Sequence, residues 1–393
     1  MKKFEAIESL RGYMAWWVVF GHAMHLTGAA SLLPAPMAFL LGHGDWAVRV
    51  FMIVSGFVIA HLLVTKDEPY APYLMRRGMR IFPLYLAMLL VALIVRQPYA
   101  VAYTENLFAF GREMRLDRWV AEGQLWFVHL PLHMLGLHGA VPDTVLQYSS
   151  STYLAPAWSI SLEWQFYLLA PFILSAMRSG GKRSWLILLA VLLVSAIALF
   201  GLLGKWKYES FFFCALPFFL VGMCSRLIFS RNLTWAAVAV TVVSGLLFVA
   251  VKHGLTSLLG YAVIGVIWSF FCAVAARESG LLSFGGRLMD RFAWVIALNP
   301  VATALGRVSY STYLVHIPIF SIVVGGGMML TGRRDQPFIL MATGVALLLV
   351  IPASFALHRW VEMPGNRLGS KLAGRLAAKA ASSGPLAEAP PVK

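Results

Sequence analysis

The chain has 393 residues, of which 60% are hydrophobic and only 12% are charged. A soluble domain carries about twice that share of charged residues, so this composition excludes a soluble globular protein and indicates a polytopic membrane protein. The net charge of +15 is concentrated beside the ends of apolar segments, which is typical of membrane topology and argues against a nucleic-acid partner.

Apolar runs along the chain mark the candidate membrane helices. A span needs about 20 residues, and two runs, 81–96 and 125–140, are shorter than that. Placing the basic loops in the cytoplasm predicts that 81–96 crosses and that 125–140 does not, lying re-entrant or along the surface. The predicted fold is therefore all-α, a bundle of about ten transmembrane helices with both termini cytoplasmic. The eleven runs are 12–31, 46–64, 81–96, 125–140, 157–177, 184–203, 211–229, 233–251, 256–276, 308–329 and 337–358.

Three segments divide the chain. Residues 1–364 form the predicted membrane domain, in which the longest connection, 97–156, lies on the external side. Residues 365–381 carry four basic side chains at steps of four, which predicts an amphipathic helix suited to an anionic lipid leaflet. The Ala/Pro-rich end, 382–393, is predicted to be disordered. The four basic residues are Arg367, Lys371, Arg375 and Lys379.

The first apolar helix carries a histidine that a membrane does not readily accept. Arg11 and His22 are eleven residues apart, which is about 16 Å and about three turns of α-helix, so both lie on one face. This places Arg11 at the membrane rim and His22 near mid-depth, where a neutral imidazole can act as a general base. A packed histidine bonded to a neighbouring carbonyl would explain the position equally well. His25 adds a second imidazole, but no carboxylate or cysteine of this helix completes a metal site, so no metal is predicted.

Three arginines follow the second apolar run. Arg77 and Arg80 are three residues apart and are expected to share a face on the first turn of a helix at the cytoplasmic rim, with Arg76 beside them. Forked guanidinium groups suit phosphate, so the cluster predicts a phosphate-bearing ligand. The alternative is that these arginines only orient the adjacent span.

A carboxylate stands inside the apolar run that begins near residue 157. Glu163 is expected to have a partner or a proton-handling role, with His22 or an arginine as the candidate partner. Trp158 and Tyr167 in the same run would otherwise indicate an interfacial aromatic belt. Three weaker candidates are Arg49, Ser55, which precedes a glycine that permits close helix approach, and His316, for which packing or capping is an equal alternative.

Read together, these segments resemble the acyltransferase-3 family of integral-membrane acyltransferases, over residues 4–364. Departures from the family pattern, at Glu8-Ser9, Phe51-Met52 and Glu163-Trp164-Gln165, leave the histidine and arginine positions intact. The motifs that carry the resemblance, in the family's order, are ESLRG at 8–12 followed by His22, VRVFMIVSGF at 48–57, RGMRIFP at 77–83, WSISLEWQFY at 158–167, SYSTYLVH at 309–316 and EMP at 362–364.

The resemblance implies an enzyme of the bacterial inner membrane that moves an acyl group, most simply acetyl, from cytoplasmic acyl-coenzyme A to a sugar hydroxyl. The acceptor would be an envelope polysaccharide, a lipid-linked glycan or a small glycoside. Arg76, Arg77 and Arg80 would hold the coenzyme A phosphates, and His22 would be the base, with Arg11 and Glu163 orienting it or stabilising charge. Direct transfer and a covalent acyl-histidine both remain open.

Two other functions fit a multispanning bundle with buried charges. In a transporter or flippase, His22, Glu163 and Arg49 would line a proton or substrate path. A glycan polymerase or export component would be expected to carry a large external loop with paired acidic or arginine sites, for which 97–156 is a modest candidate.

Overall fold

A computed structural model describes residues 4–66, 68–252, 254–282 and 286–382. All regular structure in these ranges is helical, which confirms the all-α prediction. The predicted disordered tail, 382–393, lies outside the described residues except for Ser382, where the last helix ends.

The described residues form eighteen α-helices, joined in places by single 3₁₀ or π turns. Their bounds are α1 Glu5–Thr27, α2 Ala35–Gly42, α3 Gly44–Thr65, α4 Tyr70–Ile94, α5 Arg96–Ala100, α6 Arg112–Gln124, α7 Trp126–Met134, α8 Trp158–Ser179, α9 Lys182–Leu199, α10 Leu216–Phe229, α11 Trp235–Val251, α12 Leu255–Glu278, α13 Arg287–Ala293, α14 Pro300–Arg307, α15 Ser309–Phe320, α16 Gly326–Thr331, α17 Gln336–Leu357 and α18 Met363–Ser382.

Seven helical segments of the described chain are long and apolar enough to cross a membrane. They are α3, α4, α8, α9, α12, the continuous segment of α15 and α16, and the one that starts with α17. Helices α1, α10 and α11 coincide with the three other predicted spans, but α1 carries several polar residues and α10 and α11 have 14 and 17 residues. The count of ten spans and the side of the termini stay predictions.

The helix bundle has two ends that differ in what covers them. At the basic end, where α1 begins, the carboxylate of Glu278 accepts hydrogen bonds from the backbone N–H groups of Glu5 and Ala6, at 2.9 and 3.2 Å. At the cap end, where α1 finishes, the carbonyl of Thr27 accepts from Gln336 at 3.1 Å. The connection from α5 to the start of α8, residues 96–157, is called the cap, and it covers the end of the bundle where α1 finishes.

An ion pair holds the interior of the cap together. Glu122, which is 5% exposed, accepts hydrogen bonds from Arg96 Nε and from the backbone N–H of Tyr153, both at 2.8 Å. Burial raises the pKa of this carboxyl, and these two donors partly offset the shift. Helix α7 of the cap has only nine residues, too few to span a bilayer, which agrees with the predicted non-crossing segment.

Close packing of α3 on α10 depends on two glycines. A Cβ atom at Gly56 would lie 2.2 Å from the carbonyl oxygen of Phe219, and one at Gly222 would lie 1.9 Å from that of Ile53. Neither distance is compatible with a side chain, so the backbones of these two helices touch. The close approach that the sequence predicted at Gly56 is confirmed.

Helix α4 differs from the prediction at its start. The apolar run suggested a short segment from residue 81, with the arginines on its first turn. Instead, α4 begins at Tyr70 and has 25 residues, so Arg76, Arg77 and Arg80 lie well inside it. Pro72 does not prevent the earlier start, because the N–H groups of the first turn have no partner within the helix.

The last helix packs against α4 through small residues. Gly365, Gly369 and Ala373 are buried, and a Cβ atom at Gly369 would lie 2.6 Å from Met79 Cβ. The basic residues occupy another face of α18 and are all exposed: Arg367, Lys371, Arg375 and Lys379.

Candidate active site

His22 lies near the cap end of α1. The helix ends at Thr27, because Gly28 follows in the left-handed region with φ +66°, a common helix stop. His22 is thus about 8 Å from the end of the helix and about 25 Å from its start. The helix begins before the apolar run 12–31 and ends four residues before the end of that run, and the depth of His22 in the membrane stays a prediction.

A second imidazole faces His22. The ring of His316, on α15, has its centroid 5.2 Å from that of His22, with 35° between the planes. His316 is fully buried, and its Nδ1 lies 3.3 Å from the carbonyl oxygen of Thr312. Its Nε2 has no hydrogen-bond partner within the described protein. The structure therefore joins two residues that the sequence named separately.

Of these two histidines, His22 lines a cavity of about 260 Å³ beneath the cap, called the cap cavity. His22, His25 and Trp158 line it, together with Arg115 of α6 and Tyr208. The rings of Trp158 and Tyr208 are stacked, with centroids 5.5 Å apart and 15° between the planes. The cavity combines an imidazole, a guanidinium group and an aromatic wall, which suits a polar ring-shaped ligand.

Glu163 lies in a neighbouring cluster with two hydroxyl groups. Its Oε1 accepts hydrogen bonds from Ser55 at 3.1 Å and from Tyr167 at 2.5 Å. The partners of this carboxylate are therefore hydroxyl donors on α3 and α8, where the sequence suggested His22 or an arginine. Ser55 and Glu163 line a small space of about 50 Å³, called the middle cavity, whose wall also includes Arg11 and Tyr313.

The three predicted phosphate-binding arginines point in different directions. Arg76 forms an ion pair with Glu68 at 2.9 Å, and the guanidinium of Arg77 lies 5.9 Å from the centre of the Tyr167 ring. Arg80 lines a cavity of about 580 Å³ at the basic end, called the vestibule. One turn of helix separates Arg76 from Arg80, but their neighbours on other helices differ.

The vestibule holds charges of both signs. Arg11, Arg80 and Arg307 line it, opposite the carboxylates of Glu5, Glu8 and Glu362. Two of the acids are already engaged: Glu8 is 3.3 Å from Arg11, and Glu362 is 2.9 Å from His358 Nδ1 and accepts from Ser311 at 3.1 Å. Arg80 and Arg307 have no ion-pair partner within 4 Å in the described part of the chain.

Shared wall residues join the three cavities into a series along the bundle. Arg11 lines both the vestibule and the middle cavity, and Tyr313 lines both the middle cavity and the cap cavity. The middle cavity is the smallest of the three. The three cavities therefore follow one another from the basic end, past Glu163, to His22, and Arg11 and Tyr313 form the walls that they share.

Arg49 is held away from this series by two carboxylates. Its Nε and Nη2 donate to Glu209 at 3.0 and 2.9 Å, and its Nη1 is 3.2 Å from Asp45. Such a bidentate pair fixes both side chains. Through these contacts, Arg49 links α3 to the segment before α10.

Sequence reasoning did not select Tyr313, Arg307, Tyr208 or Arg115. Tyr313 stands three residues before His316, so helical spacing could have placed both on one face. The sequence carried no signal for Tyr208, which reaches the cap cavity from the connection between α9 and α10.

A second histidine cluster is buried in the cap. His133 and His138 stack with ring centroids 3.8 Å apart, and His133 Nε2 lies 2.8 Å from Thr152 Oγ1. Burial lowers the pKa of His138 to about 4, and it lowers the pKa of His133 as well. Both rings are therefore neutral at pH 7. Among the described residues, no group of three His, Cys, Asp or Glu side chains is placed to hold a metal ion.

A comparison with known proteins identifies the family of the chain. The acyltransferase-3 family, described as an acyltransferase domain, matches residues 4–359. The chain belongs to this family, as the motifs indicated.

Two curated relatives are similar to the chain. Nodulation protein 10 of Rhizobium leguminosarum bv. viciae is 26% identical over 211 residues, which cover 52% of this chain and 50% of that protein. Acyltransferase MdmB of Streptomyces mycarofaciens is 26% identical over 355 residues, covering 83% of this chain and 81% of that protein. The chain thus spans about half the length of the first relative. No solved structure matches it significantly.

Proposed function

We propose that this protein moves an acetyl group from acetyl-coenzyme A, bound at the basic end, to a sugar hydroxyl of an envelope or lipid-linked glycan bound in the cap cavity. In this proposal the protein lies in the bacterial inner membrane with the basic end in the cytoplasm. The observation that carries the proposal is the series of three cavities joined by Arg11 and Tyr313.

The vestibule suits the phosphate-bearing part of the donor. Arg80 and Arg307 line it without a carboxylate within 4 Å among the described residues, and guanidinium groups bind phosphate through two parallel hydrogen bonds. Arg76 is engaged by Glu68 and Arg77 lies over Tyr167, so our proposal gives this task to Arg80 among the predicted trio. The pantetheine arm is an extended chain and would pass through the middle cavity, beside Glu163.

The cap cavity suits the transfer step. The acceptor hydroxyl gives its proton to His22 as its oxygen attacks the thioester carbonyl carbon, the new C–O bond forms, and the C–S bond breaks. The departing coenzyme A thiolate then takes a proton from the imidazolium, which restores neutral His22. His316, 5.2 Å away, would hold His22 in place, and the Glu163 cluster would position the donor on its way to it.

A substitution at His22 tests the proposal. The full-length protein in lipid nanodiscs is supplied with acetyl-coenzyme A and envelope glycan, and both free thiol and acetylated glycan are measured. His22→Gln should lower kcat by about 10²- to 10⁴-fold, the usual contribution of a general base. His43→Gln is the matched control, since His43 is outside the lining of the three cavities.

The outcome also separates the proposal from a transporter. A well-folded His22→Gln protein with near wild-type turnover would remove His22 from the mechanism. Absence of thiol release from the wild type with every glycan acceptor supplied would contradict acyl-coenzyme A dependence, and solute uptake into proteoliposomes would then favour transport.

The donor site is tested by comparing two arginines of one helix. Arg80→Gln should raise the KM for acetyl-coenzyme A much more than the KM for the acceptor, because Arg80 lines the vestibule. Arg76→Gln should have the smaller effect on the donor KM, because Arg76 is paired with Glu68. Equal changes in both KM values for Arg80→Gln would contradict the phosphate-binding role.

The bilayer is the remaining partner in this proposal. The exposed basic residues of α18 are spaced to meet anionic headgroups of the cytoplasmic leaflet, and Leu368, 47% exposed, lies next to that basic face. This supports a helix that rests on the membrane surface while its small residues pack on α4.

A further inference from the structure

The guanidinium group of Arg115 lies in the wall of the cap cavity without a carboxylate partner in the described protein. Arg115 is only 9% exposed, and its Nη1 has no hydrogen-bond partner. Its guanidinium carbon lies 4.7 Å from the centre of the Tyr103 ring, which holds the side chain in position. Leaving a cation buried and unpaired is costly, so this arrangement is explained if the ligand supplies an anion.

The acid in this cavity does not neutralise Arg115. Of the described residues that line the cavity, Asp45 is the one with a carboxylate. It is 3.2 Å from Arg49, which also holds Glu209 through two hydrogen bonds of 2.9 and 3.0 Å. The carboxylate of Asp45 is therefore paired with Arg49 and does not neutralise Arg115.

A second arginine adds to the positive charge on this side. Arg118 follows Arg115 by one turn of α6, is 6% exposed, and donates to the hydroxyl of Tyr99. The nearby carboxylate of Glu122 is occupied by Arg96 at 2.8 Å. Helix α6 therefore brings a second buried guanidinium group close to that of Arg115.

The same cavity offers a flat apolar surface. Trp158 and Tyr208 both line it, with ring planes 15° apart. Stacked aromatic rings of this kind pack against the C–H face of a sugar. Arg115 would then bind a group at the edge of that sugar.

We infer that the acceptor is an acidic sugar, whose carboxylate or phosphate is bound by Arg115 while its hydroxyl faces His22. This inference rests on the proposed acyl transfer and names the class of acceptor for it. It assigns Arg115 to acceptor recognition rather than to the reacting carbonyl.

The test compares three probes that differ in one group: methyl β-glucuronide, methyl β-glucoside 6-phosphate and neutral methyl β-glucoside. Binding to the full-length protein in nanodiscs of neutral lipid is measured by calorimetry. The wild type should bind one or both anionic probes at least about tenfold more tightly than the neutral probe. The tighter of the two anionic probes identifies the acidic group as carboxylate or phosphate.

The variant Arg115→Gln should weaken binding of the preferred anionic probe by about 10- to 100-fold and leave the neutral probe within about twofold. Arg115→Lys should recover part of the preference, and it keeps the test possible if the glutamine variant does not fold. Lys205→Gln, which removes an exposed cation near the cap end, is the control and should change neither affinity.

Three results would overturn the inference. They are equal binding of all probes by the wild type, an unchanged preference in Arg115→Gln, or a fall in kcat with unchanged binding, which would place Arg115 at the reacting carbonyl. Because binding is measured without acetyl-coenzyme A, anion preference can be present where transfer fails. A fourth result, transfer to neutral sugars alone, would also overturn the inference, but it would leave the proposed function standing.

Discussion

A fall in pH should open the cap, because the closed cap buries the titratable ring of His138. Its ring is fully buried, stacks on His133 at 3.8 Å, and has its Nε2 3.1 Å from the carbonyl oxygen of Ala157. In the closed cap its pKa is lowered to about 4 by burial, whereas in an opened cap the ring meets water and returns to the ordinary value of 6.5. The open state therefore binds more protons as the pH falls below 6.5, and closure loses free energy until the pH reaches about 4.

The size of the effect follows from these two values. Between pH 8 and pH 5 the ring favours the open cap by a factor of about 30, or about 2 kcal/mol. His133, whose pKa is also lowered by burial, acts in the same direction. Hydrogen–deuterium exchange of backbone amides in residues 126–157, corrected for the intrinsic pH dependence of exchange, measures this opening.

The variant His138→Gln keeps a side-chain N–H for the Ala157 carbonyl but cannot titrate. Its opening should be less sensitive to pH than that of the wild type by about the same factor of 30. His43→Gln should leave the wild-type dependence unchanged. Opening of the wild-type cap that does not depend on pH, or an unaltered dependence in His138→Gln, would refute the reasoning.

Three other substitutions give further predictions. Gly222→Val should separate α3 from α10 and lower stability by about 1–3 kcal/mol or more, seen as a lower unfolding temperature, whereas Gly245→Val, with open space around it, should not. Arg96→Gln should lower the stability of the cap by about 1–3 kcal/mol, because it leaves the buried Glu122 without its ion-pair partner. Unchanged susceptibility of the cap to proteolysis would contradict this. Tyr167→Phe removes the 2.5 Å donor to Glu163 and should slow transfer by about tenfold, while Tyr70→Phe, whose hydroxyl donates to a backbone carbonyl, should not; equal rates would exclude the Glu163 cluster from the reaction.

Part of the candidate site was accessible from the sequence because the membrane penalises polar groups. His22 and Glu163 are conspicuous within apolar runs, and the structure places each of them beside one of the joined cavities. His316 was named with packing as an equal alternative, and its ring faces His22. Each of these residues could be selected from the sequence around it, because each is a polar side chain within an apolar run.

The sequence did not indicate which arginines line the vestibule. Arg76, Arg77 and Arg80 looked alike, yet Glu68 binds the first, Tyr167 lies under the second, and only the third lines the vestibule. Arg307, from a distant part of the chain, joins Arg80 there. Which of several similar arginines faces a cavity depends on the helices packed around it.

Hydrophobic periodicity and composition determined an all-helical membrane protein, because a chain in lipid must satisfy its backbone hydrogen bonds within each segment. The motifs in their order determined its family. Tertiary structure alone decided that Arg49 is bound by Glu209, 160 residues away, that Tyr313 forms the wall between two cavities, and that Arg115 has no carboxylate partner in the described protein. These contacts join distant segments, and their geometry follows from how closely whole helices pack, which no single stretch of sequence encodes.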